Sequence, residues 1–177
     1  MGYEYLIAGL PELKAGDKAP MTIEQLEEQL AEQMNEQDKE QLRLMKCRAS
    51  YGVCPFVRDW QLFNRDLNNV LTAEICRKHG LDIKKNILGE MPDDIEPEVK
   101  ALSQITNLYE RERQIDAVRF KWLEERTQMI SFSLENVLAY YLELQMLCRW
   151  DVLTRETGEK IFREIVTDMK KGIEGKL

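Results

Sequence analysis

The chain has 177 residues, a formal net charge of −7, and only nine Gly and five Pro. A hydrophobic content of 44% excludes a disordered polar chain, 32% charged residues argue against a membrane span, and so few Gly and Pro disfavour a turn-rich β-sandwich or barrel. The acidic balance lacks the basic footprint that phosphate backbones and anionic lipids require, so neither a nucleic acid nor a lipid surface is the expected partner.

The opening residues carry acids and no basic n-region, so a secretory signal is not expected. Leu6 stands where N-myristoylation wants Ser or Thr. An extended opening would place Tyr3, Tyr5 and Ile7 on one face; a helical one would align Tyr3, Leu6, Ile7 and Leu10. Short apolar runs leave both readings open. Pro11 ends the segment, and residues 14–20 read as a loop. Thr22 and Gln25 form a capping-box pattern ahead of Leu26, Leu30 and Met34. The acidic face from Glu24 to Glu40 is either a contact surface or, the simpler reading, solvated, and a second helical pattern begins near Asn35 and carries Leu42, Leu44 and Met45.

After a break at residues 51–55, Phe56, Trp60, Phe63, Leu67, Val70, Leu71 and Ile75 recur at alternating spacings of four and three, a helical stripe. Arg77, Lys78 and His79 suit the negative end of that helix, and Gly80 suits its C′ position. Residues 80–95, with Gly89 and Pro92, form a connector and the candidate boundary between two subdomains. Pro97 opens a long helix that no Gly or Pro interrupts before about Met129, with Leu108, Ile115, Val118, Trp122 and Met129 as its stripe. Glu110 with Arg113, Asp116 with Arg119 and Lys121 with Glu125 are spaced to pair along it. Ser133 caps a further helix with Leu134, Val137, Leu138, Tyr141, Leu144 and Cys148 inward, closed by Arg149, Trp150 and Asp151. A turn at residues 154–158 leads to a last helix carrying Ile161, Phe162, Ile165, Val166 and Met169. The expected architecture is a single all-α domain over 1–177, a helical bundle of five or six helices.

Chemistry is scarce. No Gly-rich phosphate loop can be drawn. The single histidine, His79, lies three residues from Cys76, and these two with Cys47 and Cys54 are the one set that could hold a metal or a nucleophile. The simpler reading is a helix end where His79 favours the dipole, and free thiols in a reducing cytoplasm. One histidine cannot supply a di-metal carboxylate bundle. Paired acids such as Glu124 and Glu125 carry no mark that separates them from solvated helix faces. No catalytic residue, cofactor or metal is therefore expected, and the chain does not read as an enzyme. Arg111 sits in a gap of its stripe and either pairs within the bundle or faces a partner. Trp150, after Arg149 at a helix end, is either a lid on the core or an interface anchor.

Three segments together resemble a known family. They are Tyr3-Glu4-Tyr5-Leu6-Ile7-Ala8-Gly9-Leu10-Pro11 with the acidic helix from Thr22; Tyr109-Glu110-Arg111-Glu112 with Ile115-Asp116 and Arg119-Phe120-Lys121-Trp122; and Val137-Leu138-Ala139-Tyr140-Tyr141-Leu142 with Arg149-Trp150, Gly158 and Phe162. The pattern resembles bacterial proteins encoded beside a V-type (A-type) ATP synthase. Those in turn are similar to the funnel-shaped coupling component of that machine, called the d subunit in eukaryotes. The resemblance implies a non-catalytic, nucleotide-free helical part of a proton- or sodium-transporting assembly. The coupling funnel sits on the membrane rotor ring, receives the central stalk and transmits torque. The chain would then be cytoplasmic, held at the inner face of the membrane through its complex rather than by a span of its own. The resemblance carries Tyr3, Tyr5, Arg111, Arg149 and Trp150 as partner-binding residues. This chain is short for a coupling funnel, which is built from three similar helical modules. Two other readings stand beside it. A free-standing helical adaptor would show one peptide-sized groove. An enzyme would bring His79 or the thiols into one pocket.

Overall fold

The computed structural model describes residues 2–92 and 97–153, with Gly158 and Arg163. Among them are eight helices and no strand: α1 (Glu4–Gly9), α2 (Ile23–Gln33), α3 (Glu36–Lys46), α4 (Pro55–His79), α5 (Ile83–Asn86), α6 (Pro97–Leu102), α7 (Leu108–Thr127) and α8 (Leu134–Val152). The all-α bundle is as expected, and the larger helix count comes from the short helices α1, α5 and α6. The turn expected at 154–158 and the last helix through Ile161 lie outside the described residues, apart from Gly158 and Arg163, both helical.

The opening segment takes its helical form. Tyr3 and Leu6 are buried, Ile7 and Leu10 are half-buried, and the Tyr3 backbone N–H donates to the Phe132 carbonyl at 2.8 Å. The expected capping box starts α2: Thr22 Oγ1 accepts from the Gln25 N–H, and Gln25 Oε1 accepts from the Thr22 N–H at 2.9 Å. These bonds satisfy two backbone donors that the first turn leaves unpaired. Thr22→Ala is expected to cost about 1 kcal/mol in a urea titration, with an unchanged denaturant slope. Asn35 caps α3 in the same manner, its Oδ1 accepting from the Asp38 N–H at 2.9 Å.

Helix α4 follows its stripe, with Phe56, Leu67 and Val70 buried, and ends on Gly80 at φ 67°, the left-handed geometry that glycine adopts without a Cβ penalty. Ile75 departs from the stripe and is exposed, because the inward face of α4 at this end runs through Ala73 and Cys76.

The uninterrupted helix from Pro97 to about Met129 is not found. Ser103, Gln104 and Ile105 donate backbone bonds to Lys100, Ala101 and Leu102, three residues back, and the Ser103 hydroxyl donates to the Lys100 carbonyl. Asn107 then caps α7, its Oδ1 accepting from the N–H groups of Tyr109 and Glu110. A Ser and an Asn end one helix and start another without Gly or Pro, by side-chain bonds that compete with the helical ladder. Leu108 and Met129, read as stripe residues, are 64% and 89% exposed, since the inward register of α7 is instead Ile115, Asp116, Phe120 and Leu123.

Helices α7 and α8 form an antiparallel hairpin against which α2 packs. The larger apolar cluster joins Leu26 and Leu30 of α2 to Leu123 of α7 and to Val137, Leu138, Leu144 and Leu147 of α8. On its edge Phe56, Trp60, Phe63 and Trp122 pack ring against ring; Phe63 and Trp122 stack at 5.0 Å, and Trp60 and Trp122 lie 5.6 Å apart. A smaller cluster gathers Leu67 and Val70 of α4, Val99 and Leu102 of α6 and Ile115 of α7. Asn69, a buried residue of α4, fixes the connector by donating to the Leu88 carbonyl and accepting from the Leu88 N–H, each at 2.9 Å.

Candidate interaction site

Asp116 occupies an inward position of α7, one turn before Phe120, and is 4% exposed. A carboxylate there needs partners, because burying an unpaired charge is costly. It has three. Arg119 Nη1 donates to Oδ1 at 2.8 Å, Trp150 Nε1 donates to Oδ2 at 2.8 Å, and Arg149 Nη2 donates to Oδ2. Arg119 Nε also donates to Asn64 Oδ1 at 2.9 Å. One carboxylate thus ties α4, α7 and the end of α8 together.

The outer side of this knot is aromatic and cationic. Tyr109 meets Trp150 edge-on at 5.2 Å, and the guanidinium groups of Arg113 and Arg149 lie 5.7 and 5.2 Å from the Trp150 ring centre. These distances suit cation–π attraction. Arg113 is not paired with Glu110 as its spacing suggested. It donates to the Tyr109 hydroxyl at 3.0 Å and to the Gly16 carbonyl at 2.9 Å. Gly16 has φ +91°, a backbone geometry that glycine adopts without strain, and a Cβ there would sit 2.6 Å from Arg113 Nη2 and push that guanidinium aside. The Ala19 N–H donates to Asp151 Oδ2 at 3.0 Å, so the loop before α2 is stitched to both ends of the site. A hollow of about 230 Å³ lies between Gly16, Arg113, Asp116 and Trp150.

The five residues singled out from sequence do not converge on one place. Arg149 and Trp150 meet at Asp116. Arg111 is half-buried on the first turns of α7 and takes no part in that network. Tyr3 is 7% exposed, and its hydroxyl donates to Asp38 while Asn35 Nδ2 lies at 3.5 Å. It anchors α1 to α3 in the core rather than facing outward. Burial, then the Asp38 carboxylate, pushes its hydroxyl pKa well up. Tyr5 is 95% exposed. Tyr3 meets the α7–α8 turn while Trp150 lies at the far end of α8, roughly 25 Å away along the helix axis.

The metal and nucleophile set is also dispersed: Cys76 is buried, whereas His79 and Cys47 are exposed. Among the described residues no group of three or more His, Cys, Asp or Glu side chains is placed to hold a metal ion, and no helix is long and apolar enough to cross a membrane.

Sequence reasoning gave Tyr109 and Arg113 no place in a site and passed over Glu143 and the depth of Asp116. A signal existed for the last: Asp116, Phe120 and Leu123 share one helical face.

Glu143 lines a groove of about 580 Å³ between the segment around Leu10–Lys14, α7 and α8. Burial, then the nearby Glu124 carboxylate, raises its pKa to about 7. The Tyr140 hydroxyl spans the groove to donate to the Pro11 carbonyl at 3.0 Å; burial and then Glu143 push its pKa up to about 12. A carboxyl whose folded pKa exceeds its unfolded value of 4.5 adds stability that is complete below that value and lost as pH climbs through about 7. Lys46 and Tyr141 hold Glu27 below its usual range, so Glu27 works in the opposite sense. Comparing wild type with Glu143→Gln isolates the first effect. The variant is expected to gain up to roughly 3 kcal/mol relative to wild type between about pH 4.5 and about pH 7.5, read from urea midpoints.

No curated protein matches this sequence, and no solved structure matches this fold. A family described as "Protein of unknown function (DUF2764)" matches residues 48–173, from just after α3 through α8 and beyond. With some seven-tenths of its length inside that match, the chain belongs to the DUF2764 family.

Proposed function

We propose that the chain is a non-catalytic subunit or accessory protein of a V-type (A-type) rotary ATPase, standing between other subunits much as the coupling funnel stands between the central stalk and the membrane ring. The sequence resemblance supplies the identity of the machine. The supporting observation is that large apolar side chains are exposed at both ends of the α7–α8 hairpin. Tyr5, Met129, Ile130 and Phe132 gather at one end, and Leu108, Tyr109, Val152 and Leu153 at the other. Exposed apolar groups at two opposite ends suit a part clasped between two neighbours. The stiff hairpin, joined to α4 through Asp116, is the element that would carry load between them. On this reading the protein works in the cytoplasm, at the inner face of the membrane, through its complex.

The Glu143 groove favours the second reading, a free-standing helical adaptor with one peptide-sized binding site. Affinity purification of the tagged chain from native membranes, read by mass spectrometry, separates the two. Recovery of stalk and ring subunits is expected, with one neighbour lost in Met129→Glu and the other in Leu153→Glu. A preparation free of every ATPase subunit would sink the coupling role and leave the adaptor.

A further inference from the structure

The whole-chain charge of −7 conceals one stretch of the opposite sign. Residues 77–89 hold four Lys and Arg against a single acid, Asp82, a local charge of +3. They form the corner where α4 ends at His79, the chain reverses at Gly80, and α5 packs back on α4. Arg77 is held by Glu74, and Asp82 accepts at 3.0 Å from the Lys84 N–H that it caps. Glu90 follows, past the turn at Gly89. Among the described residues no ion pair or side-chain hydrogen bond reaches the ammonium groups of Lys78, Lys84 or Lys85, all three exposed.

Apolar side chains stand among these lysines. Leu81, Lys84, Lys85 and Leu88 keep the i, i+3, i+4, i+7 spacing of one helix side, and Leu81 and Leu88 are 54% and 73% exposed. Ile83 and Ile87, which fall between them in sequence, are half-buried. Ile75 and Lys78, one turn apart at the end of α4, are a further exposed pair of the same kind. Neither leucine belongs to a loose end. The Leu81 N–H donates to the Cys76 carbonyl at 2.9 Å, and buried Asn69 grips both backbone groups of Leu88 at 2.9 Å. The fold thus fixes both backbones and leaves both side chains in water. Leucines turned outward with cations around them suit a surface that meets hydrocarbon and anions together.

We propose that this corner docks on an anionic phospholipid bilayer, with Leu81 and Leu88 entering the boundary between headgroups and acyl chains and Lys78, Lys84 and Lys85 lying against the lipid phosphates. Charge complementarity selects the occupant. A bilayer offers anions and hydrocarbon at neighbouring depths, and lysine stems reach from one to the other. A nucleic acid would satisfy the lysines and leave the leucines in water. The acidity of the rest of the chain confines the contact to this corner, because an anionic surface repels the other faces. Three lysines give a weak, salt-sensitive docking rather than an anchor. The inference goes beyond the coupling reading and does not depend on it, since its test contains no ATPase subunit.

The test sediments the full chain with vesicles, one set of phosphatidylcholine alone and one with about one-third phosphatidylserine. Partition is expected to be at least about 25-fold stronger on the anionic set, roughly fivefold for each engaged lysine, and to fall steeply as salt rises from about 0.05 to about 0.5 M. Lys84→Glu with Lys85→Glu should return it to the phosphatidylcholine level. Leu81→Ser with Leu88→Ser, which leaves the charge unchanged, should weaken it about fivefold or more. Met129→Glu, at an exposed end of the α7–α8 hairpin, should sediment like wild type. Unchanged circular-dichroism melting shows that each variant is folded. Equal partition onto the two sets, undiminished partition of the lysine variant, or none at millimolar lipid would each overturn the proposal. Undiminished partition of the leucine variant would overturn the insertion of the leucines. Vesicles ignored, while the tagged chain retains an acidic protein that the lysine variant releases, would replace the bilayer with a protein partner.

Discussion

Asp116→Ala is expected to lower stability by roughly 3 kcal/mol, and the thermal midpoint by roughly 6–12 °C. The loss comes less from the missing bonds than from what they leave behind. Arg119, whose side chain is 16% exposed, keeps its charge in a site built for a salt bridge, and the Trp150 N–H loses its acceptor. Arg149→Met should cost much less, about 1 kcal/mol or below, because that side chain is 44% exposed and its ion pair is screened by water. The double variant should be more stable than the sum of the singles predicts, since Arg149 has nothing to lose once Asp116 is gone. Additive losses would show that the arginine and the carboxylate act independently and that the knot is not a unit.

Leu144→Ala is expected to cost about 3 kcal/mol for a different reason. Leu144 is fully buried in the larger cluster, where α2 and α7 close over α8. Truncation leaves a void that stiff helical neighbours cannot refill, so the cavity adds to the lost transfer energy. Leu144→Met, which keeps the volume, should stay within about 1.5 kcal/mol of wild type. Urea midpoints at one pH measure both. A loss for alanine no larger than for methionine would mean that the site collapses on itself.

The parts of this fold that local chemistry decides were legible. The Thr22–Gln25 box, the Asn35 start of α3, the Gly80 stop and the inward face of α8 each depend on residues within one or two turns. The break between α6 and α7 was not legible from Gly and Pro alone, because Ser103 and Asn107 make it with side-chain bonds to nearby backbone. The site was read by halves. Arg149 and Trp150 stood out as a charge and a large ring at a helix end, but their acceptor lies 33 and 34 residues earlier, beyond the reach of any helical spacing. The Asp116–Arg119 spacing predicted a pair, which the structure shows, but not its burial, which follows from the register of α7 turning Asp116 inward. Tyr3 was read as a contact residue from its place in a family pattern, whereas its hydrogen bonds run to α3. Glu143 had no signal of its own, since the groove it lines forms only when the N-terminal segment folds over the hairpin.

The three tryptophans divide into two optical reporters. Trp60 and Trp122 lie 5.6 Å apart at 48°, close and skewed enough for their excited states to couple and give a split circular-dichroism band. Trp150 stands away from that pair, with Tyr109 on its edge to pass it excitation energy and two arginines over its ring. Loosening the Asp116 knot should therefore change tyrosine-sensitised emission from Trp150 while the split band persists. Global melting should erase both together, so light absorbed by the native chain distinguishes a local opening from loss of the fold.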